Sequence, residues 1–281
     1  MKIAIVTDAW LPQINGVVTT YTETIKRLQK QGIETTTITP EQFRTFRCPT
    51  YPEISLSCVR PATIKDTLST IAPHSIHIAT EGPLGWAARR ACIREKFSFT
   101  TAYHTRFPEY VRVRFPLPLR LSYAFMRRFH QKGSRMMVSS PALKEELEEK
   151  GFQNVCLWSR GVDTQLFQPL TMKNEHPEQR TFTYLGRIAP EKNIEAFLNL
   201  ELPGRKMVIG DGPALTELKA RYPGVEFTGF MKGKNLAAQL AESDVFVFPS
   251  LTDTLGVVQL EAMACGVPVA AFPVDGPRSL I

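Results

Sequence analysis

The sequence predicts an α/β protein of two doubly wound, Rossmann-like domains, and three observations carry that prediction. Short β-branched runs alternate with stretches of helical periodicity along the whole chain, as parallel βαβ construction requires. The alternation is interrupted once, by the polar, proline-bearing stretch QPLTMKNEHPEQR at 168–180, and then restarts. A length of 281 residues accommodates about two domains of ordinary size. The expected division is a first domain at 1–168, a linker at 169–180 and a second domain at 181–281.

In the first domain KIAIVT (2–7) reads as a fully apolar strand. Val17, Val18, Tyr21, Ile25 and Leu28 then recur at helical spacing, and Gly32 closes that helix. Further strands are expected at 33–38, 54–59, 74–79, 98–103, 135–139 and 154–158, with helices at 83–97 and 141–150. The second domain predicts strands at 181–186, 206–210, 225–229, 244–250 and 267–272. Helices are expected between them at 191–199, 213–222, 233–242 and 255–265.

A hydrophobic content of 43% and a charged content of 22% exclude a disordered chain. The N-terminus, MKIAIVTDAW, has too short an apolar run for a signal peptide, and no window reaches the ~20 apolar residues of a membrane span. Cys48, Cys58, Cys92, Cys156 and Cys265 are scattered without a C-x-x-C pair. They read as buried hydrophobes in a reducing compartment, hence a cytoplasmic protein. Residues 1–170 hold 23 of the 34 Lys and Arg but 14 of the 27 Asp and Glu, so the basic excess belongs to the first half.

The chemistry concentrates in SLTDTLGVVQLEAMACGVPVAAF (250–272). A strand ends at Ser250 and a helix is expected to start near Leu255, where free backbone N–H groups and the helix dipole favour a bound phosphate. Asp253 stands at the helix mouth, Glu261 two turns further along, and Gly256 leaves room for a ligand. The bland alternative is that Asp253 only caps the helix and Glu261 is solvated.

This segment resembles the signature of the large family of retaining GT-B glycosyltransferases (glycosyltransferase family 4, or group 1), which pairs two acidic residues with seven between them. The family usually has Glu at both positions; here Asp253 takes the first. The resemblance covers about 2–281 and implies a GT-B fold, two Rossmann-like domains facing a cleft. It assigns Asp253 and the amides of Leu255, Gly256 and Val257 to the donor sugar and phosphate, and Glu261 to the ribose hydroxyls. GRIAPEKN (186–193) resembles the family's diphosphate grip, with Arg187 and Lys192 as its cations. VIGDGP (208–213), with Gly210 and Asp211, resembles its second donor-side loop.

In VTDAWLPQINGVVTTY (6–21), a dinucleotide fingerprint would show G-x-G-x-x-G, but Gly16 is the one glycine there. This argues against a nicotinamide cofactor, and resemblance makes Gly16 the point where the donor phosphate approaches. His104, in FTTAYHTRFPEY (99–110), follows a strand; a lone His is more often structural, but the family places one here against the donor sugar. Glu81, in TEGPLG, is an acceptor-side candidate, and Asp163 in RGVDTQLF reads as structural. No Asp-x-Asp pair occurs and no cluster has metal-ligand spacing, so no cofactor and no metal are expected.

The resemblance thus implies retaining transfer from a nucleotide-sugar donor, with the leaving diphosphate stabilised electrostatically. The segments E-G-P-L-G, H-T-R-F-P and T-D-T-L-G are similar to mannosyl- and glycolipid-forming members, which favours GDP-mannose as donor and a lipid acceptor over a glycan. A non-catalytic, GT-B-shaped nucleotide-sugar-binding protein is the alternative. Nucleic acid is not an expected partner, since no binding motif accompanies the basic half. The chain stops where the family continues, so a truncated second domain is expected. Between Glu109 and Glu145 there is no acidic residue, and residues 110–135 mix cations with apolar side chains. That mixture suits an anionic membrane surface at the cytoplasmic face, or alternatively an amphipathic helix packed on its own domain.

Overall fold

The computed structural model describes residues 1–281 apart from 14, 49–50, 115–116 and 172–179, and the side chains of 51–54 and 113–114. The chain divides into two compact units, Met1–Ser159 and Arg160–Ile281. Most of the expected linker lies outside the described residues. Residues 160–168, expected to close the first domain, belong to the second unit, where the Asp163 backbone carbonyl accepts from Leu166 and Phe167 and Phe167 enters the core.

The first unit carries a six-stranded parallel sheet in the order β2-β1-β5-β6-β7-β8. Its strands are β1 (Lys2–Val6), β2 (Glu34–Ile38), β5 (Ser75–Ile78), β6 (Phe99–Ala102), β7 (Arg135–Val138) and β8 (Val155–Leu157). The connecting helices are α1 (Gly16–Lys30), α2 (Pro61–Ile71), α3 (Pro83–Arg94), α4 (Phe107–Arg114), α5 (Leu119–His130) and α6 (Pro141–Glu149). The strand expected at 54–59 is not part of this sheet. It is β4 (Tyr51–Ser57), paired antiparallel with β3 (Thr45–Cys48) as a separate hairpin. So short a connection permits only antiparallel pairing, because a parallel partner needs a long crossover.

The second unit is a five-stranded parallel sheet in the order β11-β10-β9-β12-β13. It comprises β9 (Thr181–Leu185), β10 (Arg205–Ile209), β11 (Glu226–Gly229), β12 (Val245–Phe248) and β13 (Val269–Ala271). Its helices are α7 (Glu195–Leu198), α8 (Leu215–Arg221), α9 (Gly233–Ala241), α10 (Val257–Ala264) and α11 (Asp275–Arg278). Strand alternation feeds two cores. Met207, Ile209, Phe246 and Phe248 face one layer with Leu240 and Ala262, while Val208 and Val247 face the other with Phe197 and Leu218. Both faces are covered, which is why these strands read as continuous apolar runs.

The helix expected at 191–199 is broken. A 3-10 turn spans Pro190–Lys192, Asn193 adopts a left-handed conformation, and α7 follows. The Asn193 side chain donates to the Pro249 carbonyl at 3.0 Å, so the break ties the loop after β9 to the loop after β12. Of the cysteines, Cys92 and Cys265 are buried as expected, whereas Cys58 is exposed.

Asp8 organises the carboxyl edge of the first sheet. It follows β1 and is 6% exposed. Its carboxylate accepts from the Leu84 and Gly85 N–H groups at 2.8 and 3.0 Å, capping α3 from 76 residues away. The Thr80 hydroxyl also donates to it at 3.0 Å. The E-G-P-L-G segment permits that approach, since a Cβ at Gly82 would lie 2.3 Å from Asp8 Cγ. Burial raises the Asp8 carboxyl above its ordinary range, against the lowering effect of these donors. Asp8→Ala should therefore lower unfolding free energy by ~2–4 kcal/mol, because two buried amides lose their acceptor. Denaturant melts of both proteins check this, and an unchanged midpoint would refute it.

Candidate active site

In the second unit β9 lies between β10 and β12, so the chain's direction of travel across the sheet reverses between β9 and β12. Ligands of open α/β sheets bind beyond the carboxyl ends of the strands at such a reversal. The donor-side residues expected from sequence, apart from Gly16 in the first unit and Glu261 within α10, lie on the loops at that edge or at the start of α10. Arg187 and Lys192 are on the loop after β9, Gly210 and Asp211 after β10, and Asp253, Leu255, Gly256 and Val257 between β12 and α10.

These loops are laced together by backbone. The Ile188 N–H donates to the Asp211 carbonyl at 2.8 Å and the Gly186 N–H to Ile209 at 3.0 Å. Gly210 lies against the Gly186 carbonyl and donates its N–H to Gly229 at 2.9 Å. The Asp211 side chain is exposed and accepts from the Gly212 N–H at 2.7 Å. Lys192 Nζ donates to Asp253 Oδ1 at 2.5 Å, and Arg187 stands 3.9 Å from Glu191. The half-buried cations thus face carboxylates of the same loops in the free protein.

Helix α10 begins at Val257, two residues later than expected, because Gly256 is its N-cap with φ +80°. A Cβ on Gly256 would come 2.5 Å from Phe248 Cζ and 2.8 Å from Gln259 Nε2, so a side chain there is excluded by space as well as by dihedral. The Leu255 side chain is buried, and its carbonyl accepts from Gln259 Nε2 at 2.6 Å. Gln259 itself, fully buried, was not anticipated. Glu261 is 9% exposed, which excludes the alternative that it is solvated. Burial alone pushes its carboxyl up to about 7.

In the first unit Gly16 opens α1, but the first-turn amides of Val17 and Val18 already donate to Asn15 Oδ1, each at 3.0 Å. A Cβ at Gly16 would meet nothing within 4 Å. Neither the protein's packing nor a strained dihedral demands glycine there. Glu81 turns inward. Its Oε1 lies 3.2 Å from Nε2 of the fully buried His130, and the side chain is 16% exposed. His104 follows β6, with Nε2 2.8 Å from the Tyr21 hydroxyl. The rest of its motif is structural: Arg106 grips both carboxylate oxygens of Glu146 at 2.9 and 2.6 Å, and the Tyr123 hydroxyl donates to Glu109 at 2.5 Å. Among the described residues, no cluster of three or more His, Cys, Asp or Glu has the arrangement of a metal site.

Sequence comparison identifies the family. The profile described as Glycosyltransferase Family 4 matches residues 14–166, and that of Glycosyl transferases group 1 matches 179–281. The chain belongs to glycosyltransferase family 4. Among its relatives, a GDP-mannose-dependent alpha-mannosyltransferase of Mycobacterium tuberculosis is 30% identical over 308 residues, covering 100% of this chain and 81% of the relative. An alpha-monoglucosyldiacylglycerol synthase of Streptococcus pneumoniae is 27% identical, covering 96% and 71%. The solved structure of a sucrose-phosphate synthase from Thermosynechococcus elongatus superposes with a TM-score of 0.77 at 20% identity, covering 98% of this chain and 82% of that one. The transferase therefore shares the GT-B fold class.

Residues missed from sequence alone are Asp8, Tyr21, His77 and Gln259. A signal existed for two of them: Asp8 ends an apolar strand, and His77 interrupts one.

The buried Glu261 carboxyl makes a signed prediction for the transferase. Its folded value, about 7, exceeds the ordinary 4.5, so the unfolded chain ionises first as pH rises. The folded state therefore loses stability between these values and carries the full penalty above them, ~3 kcal/mol for a shift of this size. Glu261→Gln removes the penalty. The variant should match wild type at pH 4 and exceed it by up to ~3 kcal/mol at pH 8 in denaturant melts. Equal stability at both pH values would show that the carboxylate is solvated.

Proposed function

We infer that the transferase moves mannose from GDP-mannose, with retention and without a metal, to a hydroxyl of a lipid acceptor. The observation that carries the reading is Glu261, a nearly buried carboxylate whose ionisation is opposed by burial and which lies on the helix that follows Asp253 and the Lys192 ion pair. A carboxylate held this way is suited to accept two hydrogen bonds from a ribose diol. Lys192 exchanges Asp253 for the diphosphate, joined by Arg187 and the amides at the start of α10, and Asp253 turns to the donor sugar. These cations and amides supply the stabilisation that a metal gives in other transferases. His104 is assigned to the donor sugar, and the departing phosphate oxygen takes the acceptor's proton. Mannose as the sugar is supported by the mannosyltransferase relative, and a lipid acceptor by the diacylglycerol named in the synthase.

A lipid acceptor would be met at a membrane surface. Among the described residues no helix is long and apolar enough to cross a membrane. Helix α5 buries Tyr123, Met126, Phe129 and His130 and exposes Leu121 and Phe125 beside Arg120 and Arg128. Tyr123, Met126 and Phe129 are thus core residues rather than membrane contacts. The Arg127 guanidinium, also within 110–135, donates to the Lys150 carbonyl at 2.9 Å and so is engaged by its own unit. Phe115 lies outside the described residues.

A thermal-shift screen of nucleotide sugars tests the donor, since a ligand that binds only the folded state raises its apparent stability. GDP-mannose should stabilise the chain more than UDP-glucose. Lys192→Ala and Glu261→Ala should each weaken donor binding about ten-fold or more, and chelator should leave transfer unchanged. Wild-type affinity in both variants removes the site assignment, and a response to UDP-glucose alone removes mannose. Docking is read separately by cosedimentation with vesicles of phosphatidylcholine and phosphatidylglycerol at low salt. Arg120→Glu with Arg128→Glu should reduce binding at least several-fold and spare donor affinity. Wild-type protein that ignores these vesicles argues for a soluble acceptor.

A further inference from the structure

A chain of hydrogen bonds lies behind His104. Helix α1 brings Tyr21, 1% exposed, under the carboxyl edge of the first sheet, where its hydroxyl lies between two imidazoles. His104 Nε2 is 2.8 Å away and His77 Nε2 is 2.6 Å away. Strand alternation sends Ile76 and Ile78 to the opposite core and leaves His77 on the α1 side. The register of β5 on β6 pairs His77 with Thr100, and His77 Nδ1 lies 2.8 Å from Thr100 Oγ1. The Thr100 hydroxyl donates to the Ile76 carbonyl at 3.5 Å. Trp158 closes the cluster, its ring 5.8, 6.1 and 6.2 Å from those of Tyr21, His77 and His104.

The direction of this chain follows from its end. A carbonyl only accepts, so the Thr100 hydroxyl donates to it and accepts from Nδ1–H of His77. His77 Nε2 then carries a lone pair and accepts the Tyr21 proton. The Tyr21 oxygen in turn accepts from Nε2–H of His104. Neutral His104 therefore has its lone pair on Nδ1, and on that edge the ring is an acceptor. The two histidines hold opposite tautomers, coupled through one phenol.

We propose that Tyr21 and His77 are positioning residues that fix the orientation and the tautomer of His104. The inference rests on the reading that His104 meets the donor sugar, and it adds what sets the face His104 presents there. A ring pinned at Nε2 by a nearly buried phenol presents Nδ1 in one direction. Removing the hydroxyl removes the acceptor that selects Nε2–H in His104.

Nitrogen-15 NMR of histidine-labelled full chain reads the tautomers without turnover. His77 should appear as the Nδ1–H form and His104 as the Nε2–H form, and the reverse assignment overturns the proposal. In Tyr21→Phe the His104 signals should move toward tautomer averaging. kcat should fall about ten-fold or more, with KM for the donor nearly unchanged, because orientation rather than binding is lost. If Tyr21→Phe fails to fold, His77 carries the same test. His77→Gln, whose amide oxygen can accept from Tyr21, should retain turnover that His77→Leu loses. Equal turnover in these two, or wild-type kcat in Tyr21→Phe where His104→Ala is inactive, overturns the positioning role and leaves the functional reading intact. Wild-type kcat in His104→Ala instead sinks the functional reading that the role depends on.

Discussion

Parallel pairing is the constraint on which the rest of this protein depends. In each sheet every strand ends on the same edge, and the strands are covered by helices on both faces. Most of the polar chemistry thereby gathers in the loops that leave the strands, with His77 in β5 and Thr100 in β6 as exceptions. Asp8, Glu81 and His104 follow β1, β5 and β6, while Arg187, Asp211 and Asp253 follow β9, β10 and β12. Both sheets reverse their winding beside their opening strand, β1 in the first and β9 in the second. Loops on either side of a reversal turn away from each other and leave room between them.

The buried carboxylates show how differently the same charge is treated. Asp8 receives two amides and a hydroxyl and serves the fold. Burial pushes the Glu146 carboxyl up, but Lys150 and Arg106 together hold it below its ordinary value. Glu261 is given no comparable compensation, and burial alone governs its ionisation. A penalty of this kind lowers stability, and proteins tolerate it where a ligand supplies what the fold withholds.

The H-T-R-F-P motif divides in the same way. His104 is held from behind by Tyr21, whereas Arg106 and, just beyond the motif, Glu109 anchor the loop to α6 and α5. Anchoring a loop does not by itself fix the orientation of an imidazole on it, which requires that the ring also be held. The Tyr21 hydroxyl supplies that third attachment.

The sequence by itself determined the elements and the placement of the motifs. Apolar alternation and helical spacing are local properties, so both sheets, most strands and the loops carrying Arg187, Lys192, Asp253 and His104 were legible. Even there local pattern had limits: it missed the left-handed Asn193, which breaks a helix, and the Gly256 cap, which delays one. Strand order, the β3–β4 hairpin and the role of Asp8 were decided by tertiary structure. So were the inward turn of Glu81, the burial of Glu261 and the bond between Tyr21 and His77, 56 residues apart. The physical reason is that a side chain's periodicity is set by its neighbours in sequence. Its solvation and its hydrogen-bond partners are set by residues that only the folded chain brings to it.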